Sequence, residues 1–222
     1  MLVDERGRGS ESADVAGRIR AAILDGEYAP NQRLVEADLC EQFAVSRSAV
    51  RGALQELATQ GLIERIQNRG ARVRSVSLEE AVEITEVRMV VEGLCAAKAA
   101  QHITDEQIAE LAELRAELTA SVESGDVMGY SKLNQLLHKR VREIGAQHTA
   151  ADILERLRGQ LVRHQFRLAM HPGRITVSLA EHVAIIDTVC AKDPQRAEAA
   201  MRDHLKSVIV ALKDVAAAQQ GS

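Results

Sequence analysis

The segment LVEADLCEQFAVSRSAVRGALQELATQGL, residues Leu34–Leu62, decides the fold of the N-terminal region. Its pattern predicts a short helix over Glu36–Phe43, a tight connection at Ala44-Val45, and a second helix that Ser46 caps and that ends near Gln60. The buried stripe of the second helix is predicted to contain Val50, Leu54 and Leu57. Two helices joined in this way are typical of a helix-turn-helix, whose second helix enters the major groove of DNA.

The flanking residues extend this motif to a winged helix. An apolar repeat predicts a further helix over Val15–Leu24. On the other side, residues 62–66 and 71–76 alternate apolar and polar side chains around turn-forming residues, which predicts a β-hairpin. We therefore expect a winged helix-turn-helix domain over residues 13–76, preceded by a polar, disordered N-terminus over residues 1–12.

The second helix of the motif carries the candidate DNA-reading residues. Arg47 and Arg51 are four residues apart and share a face, and arginine can pair bidentately with guanine. Ser46 and Ser48 can bond a phosphate or a base edge from the first turn. The alternative is that the two arginines form only a solvated helix face, which the presence of a wing beside the helix-turn-helix disfavours.

Charge is unevenly distributed along the 222-residue chain, whose net charge is −4. Residues 1–76 hold 11 arginines and 11 acidic residues, whereas residues 77–222 hold 17 basic and 21 acidic residues. Within Phe43–Val76, six arginines face only two acidic residues. A small basic patch on an acidic body fits a specific docking surface, and it disfavours a structural nucleoid protein that coats DNA.

The remainder of the chain is predicted to be helical. From Ser77 onward the apolar spacing is that of helices, two of which begin with capping boxes at Ser77 and Thr104. One long helix is expected from about Thr149 to Met170. The fold class is thus mainly α, with an all-α bundle of six or seven helices over residues 77–222.

Composition limits the cellular context. No apolar run approaches the ~18 residues that span a membrane, and the N-terminus lacks the apolar stretch of a signal peptide. The three cysteines are far apart, which disfavours disulfides or a cysteine zinc site. These features predict a cytoplasmic protein without a membrane partner.

Four polar residues stand out in the helical region. Asn134 and His138 are four residues apart on one helix, and His182 and His204 lie in amphipathic stretches of two further helices. Imidazole and amide oxygen are ligands for divalent metals. An isolated histidine on a helix is more often an ordinary core or surface residue, and we interpret the remaining four in that way: His102, His148, His164 and His171.

The N-terminal region resembles the GntR family of bacterial regulators. In that family the tip of the wing contacts the minor groove, which assigns Asn68, Arg69 and Gly70 to DNA binding here. Two positions depart from the family pattern: Asn31 replaces the usual glycine, and Gly52 the usual glutamate. The resemblance rests on Ala29-Pro30, Arg33-Leu34, Glu36, Leu39, Val45-Ser46-Arg47, Val50-Arg51, Ala53-Leu54, Leu57, Gly61-Leu62, Asn68-Arg69-Gly70-Ala71 and Val73.

The helical region resembles the FCD ligand-binding domain of the FadR-type GntR regulators. In that family, three histidines and an aspartate four residues before the first of them bind a divalent metal, and Asn134 stands at the aspartate position. The resemblance implies a Zn, Ni or Mn-like ion. The matching residues are Glu86, Arg88, Glu92, His138, Ser178-Leu179-Ala180-Glu181-His182, Ile185, Asp193, Ala200-Met201 and His204.

The same resemblance implies a small carboxylate effector held near the metal. Arg88 is the leading candidate to pair with it, and Arg163 and Arg167 are further candidates. The alternative is that these arginines form internal salt bridges, for example Arg88 with Glu92 one helical turn away.

Together these features predict a homodimeric transcription regulator, a repressor rather than an enzyme, that binds a short inverted repeat of double-stranded DNA. The competing hypothesis is a metal-dependent hydrolase or isomerase fused to a DNA-binding domain, with Glu181 as a candidate base.

Overall fold

A computed structural model describes residues 4–24, 26–66 and 70–220, and it confirms the mainly helical fold class. No helix in these parts of the chain has the length and apolarity that crossing a membrane requires. The elements are α1 (Asp4–Leu24), β1 (Arg33–Leu34), α2 (Glu36–Phe43), α3 (Arg47–Thr59), β2 (Ile63–Ile66), β3 (Gly70–Val73), α4 (Leu78–His102), α5 (Asp105–Glu123), α6 (Val127–Gly145), α7 (His148–Gln160), α8 (Val162–Ala169), α9 (Arg174–Cys190) and α10 (Pro194–Gln220).

The chain forms two compact units. The N-terminal unit comprises residues up to Val76 together with residues 158–163, and the C-terminal unit comprises residues 77–157 and 164–222. The predicted second domain was a continuous segment from residue 77, so the short segment 158–163 departs from that expectation.

Local interactions explain the helix-turn-helix. Ala44 ends α2 in the left-handed region, with φ of 54°, and this reverses the chain direction within two residues. Ser46 then caps α3, since its hydroxyl accepts a hydrogen bond from the backbone N–H of Ala49 at 3.2 Å. Gly61 follows α3 with φ of 71°, the left-handed conformation in which many helices end.

The wing is a three-stranded antiparallel sheet in the order β1-β3-β2. The hairpin of β2 and β3 was predicted, whereas the two-residue strand β1 was too short for its pattern to be recognised. Gly70 is required at the start of β3, because its φ is 87° and an added Cβ would lie 2.6 Å from the carbonyl oxygen of Leu34. Asn31 also has positive φ, 67°, which explains why asparagine can replace the glycine usual there.

Residues 4–12 differ from the predicted disorder, because they form the first part of α1, while the prediction for residues 1–3 falls outside the described residues. The apolar residues from Val15 onward are buried in the core of the N-terminal unit, and the helix continues backward from them into the polar segment. Two contacts with α3 accompany this extension. Glu11 accepts a 3.2 Å hydrogen bond from the Ser46 hydroxyl, and Ser12 lies directly against Gly52.

The C-terminal unit is a bundle in which α4 packs mainly against α10 and α6, and α5 packs against α6 and α9. The helix predicted from about Thr149 to Met170 is instead two helices, α7 and α8, separated at Leu161. Leu161 is buried, and the weak helix former Gly159 lies just before the break. Large members of the core include Leu111, Leu118, Leu137, Ile185 and Met201.

Candidate functional site

Three histidines from three helices converge inside the C-terminal unit. His138 belongs to α6, His182 to α9 and His204 to α10, and all three are buried. Their ring centroids lie 4.5 to 5.4 Å apart. One possible ligand nitrogen from each ring lies within 4.8 Å of the others, which is close enough for all three to bind one ion. The structure therefore brings the three predicted histidines together.

The ring of His138 is held from α4. Its Nδ1 lies 2.7 Å from Glu92 Oε2, and Arg88 donates two hydrogen bonds to the other oxygen of Glu92, at 2.6 and 2.9 Å. Burial would raise the pKa of Glu92, but Arg88 and His138 hold that pKa well below its usual range. An ionised carboxylate can only accept, so Nδ1 of His138 carries the proton and Nε2 keeps its lone pair.

His204 is held in the same manner by a second carboxylate. Its Nδ1 donates to Glu181 Oε2 at 2.8 Å, and Arg174 donates to the same oxygen at 2.9 Å. Burial would raise the pKa of Glu181, but hydrogen bonds from His204, Ser207 and Arg174 lower it. The Glu181 carboxylate is thus fully engaged, which disfavours its predicted alternative role as a general base.

His182 is anchored by a neutral partner and is the most buried of the three. Its Nδ1 lies 2.9 Å from the Tyr130 hydroxyl. Burial holds the pKa of His182 well below its ordinary value, and burial likewise lowers the pKa of His138 to about 4, so both rings are neutral at pH 7. Nε2 of His182 is buried and has no hydrogen-bond partner among the described residues.

Asn134, the predicted fourth ligand, lies one turn before His138 on α6. Its Oδ1 is also buried without a hydrogen-bond partner in the described parts of the chain. A buried polar atom without a partner is costly, and such atoms call for an explanation by water or an ion. Imidazoles anchored through Nδ1, and an amide oxygen one helical turn before one of them, are donor types that late divalent metals accept. The residues present therefore fit a divalent metal.

Comparison with known proteins agrees with the two units. Residues 11–73 match the gntR family of bacterial regulatory proteins, and residues 83–207, more than half of the chain, match the FCD domain. The chain belongs to the GntR family and carries an FCD domain. It is a DNA-binding transcription regulator and not an enzyme, since the family and its homologues are transcription regulators.

Individual relatives of this GntR regulator are distant but span most of its length. The HTH-type transcriptional repressor RspR of Escherichia coli (strain K12) is 25% identical over 197 residues, 89% of this chain and 86% of that protein. The structure of E. coli McbR/YncC has a TM-score of 0.79 at 21% identity and covers 92% of this chain and 97% of that one. A putative GntR regulator from Rhodococcus sp. RHA1 has a TM-score of 0.71 at 23% identity, with 92% and 98% covered. The likeness to these two structures supports the fold.

The recognition helix of the GntR regulator presents its predicted DNA-reading residues to solvent. Ser46, Arg47, Ser48 and Arg51 are exposed. Arg51 donates a 2.9 Å hydrogen bond to Glu36 of α2. Ser46 and Ser48 share a hydrogen bond at 3.0 Å. Their roles in DNA binding remain predictions that this accessibility supports.

Other predicted residues have mixed outcomes. Asn68 and Arg69 lie outside the described residues, as does the side chain of Arg163. Gly70 is required by the backbone of the wing, and its predicted contact with DNA stays a prediction. Arg88 forms the salt bridge with Glu92 that was weighed as the alternative to effector binding. Arg167 is half-buried near the end of α8, and its role as an effector contact is untested.

Sequence reasoning missed the supporting residues Tyr130 and Arg174. Tyr130, Asn134 and His138 repeat every four residues along α6, so their spacing would have indicated a shared polar face. Arg174 lies two helical turns before Glu181, and this spacing would have indicated the pair. The contact of Glu92 with His138 joins residues 46 positions apart and leaves no local signal.

Proposed function

We propose that this GntR regulator is a homodimeric repressor whose affinity for a short inverted repeat is controlled by a small carboxylate effector. The effector binds beside a divalent metal in the FCD domain. His138, His182, His204 and Asn134 would hold the ion, and the ion would supply a Lewis acid that anchors a carboxylate oxygen.

One observation carries the metal site. All three rings are oriented through Nδ1, so the nitrogen that remains on each is Nε2, and two buried donor atoms of the site have no hydrogen-bond partner among the described residues. A site for ordinary core histidines would satisfy these atoms with protein groups. An arrangement in which outer partners fix the ligand rings is typical of metal centres.

Metal content tests the site directly. Purified protein is expected to contain about one divalent ion per chain by elemental analysis. His182→Ala should lose the ion, because the most buried ligand is removed. His148→Ala is the matched control, since His148 is exposed and does not belong to the cluster of three histidines. Wild-type protein that remains metal-free after incubation with Zn²⁺, Ni²⁺ and Mn²⁺ would contradict the proposal.

Repression rests on the DNA-reading helix and on the relatives. RspR is named a transcriptional repressor, and the exposed arginines of α3 fit major-groove recognition. Selection of bound duplexes from a random pool should yield a two-fold symmetric site. A reporter placed behind that site should be silenced by the protein, and activation would overturn the sign of regulation.

The effector must distinguish two conformations of the protein, or it cannot shift the DNA equilibrium. We expect carboxylates to weaken binding to the selected site in wild type but not in His182→Ala. Fluorescence anisotropy with a panel of small carboxylates measures this shift. An unchanged response in the histidine variant would separate effector sensing from the histidine site.

An exposed apolar stripe on α4 supports the homodimer. Val87, Val90 and Leu94 recur at helical spacing and are each about half exposed, which is unusual for three large apolar side chains on one face. A second copy that covers this stripe would bury it. Light scattering should give about twice the 24.2 kDa chain mass. Val90→Glu should shift the population to monomer, whereas Val177→Glu on α9 serves as the exposed control.

A further inference from the structure

The hydroxyl of Ser46, at the start of the recognition helix α3, is engaged by protein groups. It accepts a hydrogen bond from the backbone N–H of Ala49 at 3.2 Å, and it lies 3.0 Å from the hydroxyl of Ser48. It donates its proton to Oε2 of Glu11 on α1, at 3.2 Å. A serine hydroxyl has a single O–H donor, so Ser46 has no donor left for another acceptor while Glu11 stays in place.

Packing of α1 along α3 holds Glu11 at this position. Ser12, the next residue, lies directly against Gly52 in the second turn of α3, and Arg20 donates to Glu56 near the other end of α3 at 3.2 Å. Glu11 and Ser12 are half-buried, whereas the two residues that follow them in α1 are exposed. Glu11 therefore approaches α3 from a helix that packs against it, and not as a freely moving side chain.

The Glu11 carboxylate lies where a DNA phosphate is expected. Ser46 is predicted to bond a phosphate or a base edge, and a phosphate oxygen of the DNA backbone can only accept a hydrogen bond. The first turn of α3 has no acidic residue of its own, so Glu11 brings a negative charge to this turn from another helix. A carboxylate and a phosphate cannot share the one proton of Ser46, and two like charges a few ångströms apart repel each other.

We propose that Glu11 is an internal competitor of the DNA backbone: its carboxylate occupies Ser46 in the free protein, and a phosphate must displace it. Glu11 thereby weakens binding to every duplex, because phosphate contacts carry no sequence information. Base contacts from the exposed arginines of α3 then decide which duplexes stay bound. The inference uses the predicted contact of Ser46 with DNA, and it is independent of the metal and of the effector.

Glu11→Gln tests the competition, because it removes the charge and keeps the shape of the side chain. Fluorescence anisotropy at about 0.05 M salt measures its affinity for a duplex with the selected operator and for a duplex of mixed sequence. We expect both duplexes to be bound about three- to tenfold more tightly than by wild type, since one repulsive charge beside a phosphate is removed. The gain should nearly vanish at about 0.5 M salt, where exposed charges are screened, whereas a purely structural effect would persist.

Two further variants separate the contact from the overall charge. Glu27→Gln makes the same change of charge in the N-terminal unit, but Glu27 is exposed and lies beyond the other end of α1, about 20 Å along the helix from Glu11. Ser46→Gly removes the shared hydroxyl, and glycine is tolerated at the start of a helix. In the Ser46→Gly background, the gain from Glu11→Gln should fall to that of Glu27→Gln. Thermal unfolding checks that each variant is folded.

Three results would overturn the competition. The first is a gain from Glu11→Gln that does not exceed that from Glu27→Gln. The second is a gain that Ser46→Gly leaves at its full size, because Glu11 would then act on DNA without the serine. The third is a gain confined to the operator, which would mean that Glu11 affects the reading of sequence. A selection that yields no two-fold symmetric site would contradict the proposed function instead, and the mixed-sequence duplex would still test Glu11.

Discussion

Two arginine–glutamate pairs in this protein have similar lengths and opposite environments. Arg51 and Glu36, at the DNA-reading surface, are 2.9 Å apart with 63% and 22% of their side-chain areas exposed. Arg88 and Glu92, at the histidine site, are 2.6 Å apart with 9% and 3% exposed. An exposed pair contributes little and can exchange its partner for a phosphate or a base. A buried pair is costly to break and fixes the geometry around it.

The largest expected effect comes from breaking the buried pair. Arg88→Met should destabilise the C-terminal unit by about 3–5 kcal/mol, because it leaves the Glu92 charge buried without its cation. Urea unfolding followed by circular dichroism measures this change. Arg115→Ala, which breaks an exposed 2.6 Å pair with Asp187, should cost no more than about 1 kcal/mol. Similar losses from the two substitutions would mean that burial does not distinguish the pairs.

A second variant sharpens the same contrast. Replacing both partners, with Arg88→Met and Glu92→Leu together, removes the buried charges instead of orphaning one. Most of the stability lost in the single variant should therefore return. Metal affinity should be lower in this double variant than in wild type, because His138 has lost the carboxylate that orients its ring.

At the exposed surface, the expected effect is on DNA and not on stability. Arg51→Ala should weaken binding to the selected operator by about 1–3 kcal/mol and relax the preference at one base pair of each half-site. Glu36→Gln releases Arg51 without removing it, so it should change operator affinity by less than about 1 kcal/mol. Wild-type binding by both Arg51→Ala and Arg47→Ala would show that α3 is not the reading helix.

A smaller effect is expected from Tyr130, the uncharged hydrogen-bond partner of His182. Tyr130→Phe removes the hydroxyl that lies 2.9 Å from His182 Nδ1. Loss of an outer partner should weaken metal binding by about tenfold, toward the low end of the usual range. Competition with a chromogenic chelator measures the affinity, and Tyr28→Phe, in the N-terminal unit, is the matched control.

The smallest effect concerns Gly52. Alanine is a better helix former by about 1 kcal/mol, but a Cβ at this position meets Ser12, whose own Cβ would lie 3.2 Å away. Gly52→Ala should therefore bring no gain in thermal stability in wild type, and a gain of up to about 1 kcal/mol in a Ser12→Gly background. An equal gain in both backgrounds would show that α1 does not constrain α3.

The sequence predicted the parts of the molecule whose apolar residues follow the period of a helix or a strand. The helix-turn-helix, its Ser46 cap and the hairpin follow from local spacing, and they are confirmed. The convergence of the three histidines is also observed, although their spacing alone did not require it. Recognition of the family supplied what periodicity could not.

The remainder depended on contacts between distant residues. Helix propensity did not predict that α1 begins at Asp4, since the segment is polar and its neighbours on α3 lie more than 30 positions away. Arg88 has two chemically reasonable partners, an effector or Glu92, and its 2.6 Å contact with Glu92 is seen only in the packed structure. Its role as an effector contact stays a prediction. The support of His204 by Glu181 likewise requires two helices to be placed side by side.

The contact between Ser12 and Gly52 couples the choice of residue at two positions that are 40 apart in the sequence. In a relative with glutamate at the position of Gly52, the Cβ would meet a serine at the position of Ser12, so that relative needs a smaller residue there or a shifted N-terminal helix. A recognition helix grafted from this protein into such a relative would lose its packing partner unless the first 24 residues were transferred with it. The transferable DNA-reading module therefore begins at the N-terminal helix and not at the helix-turn-helix.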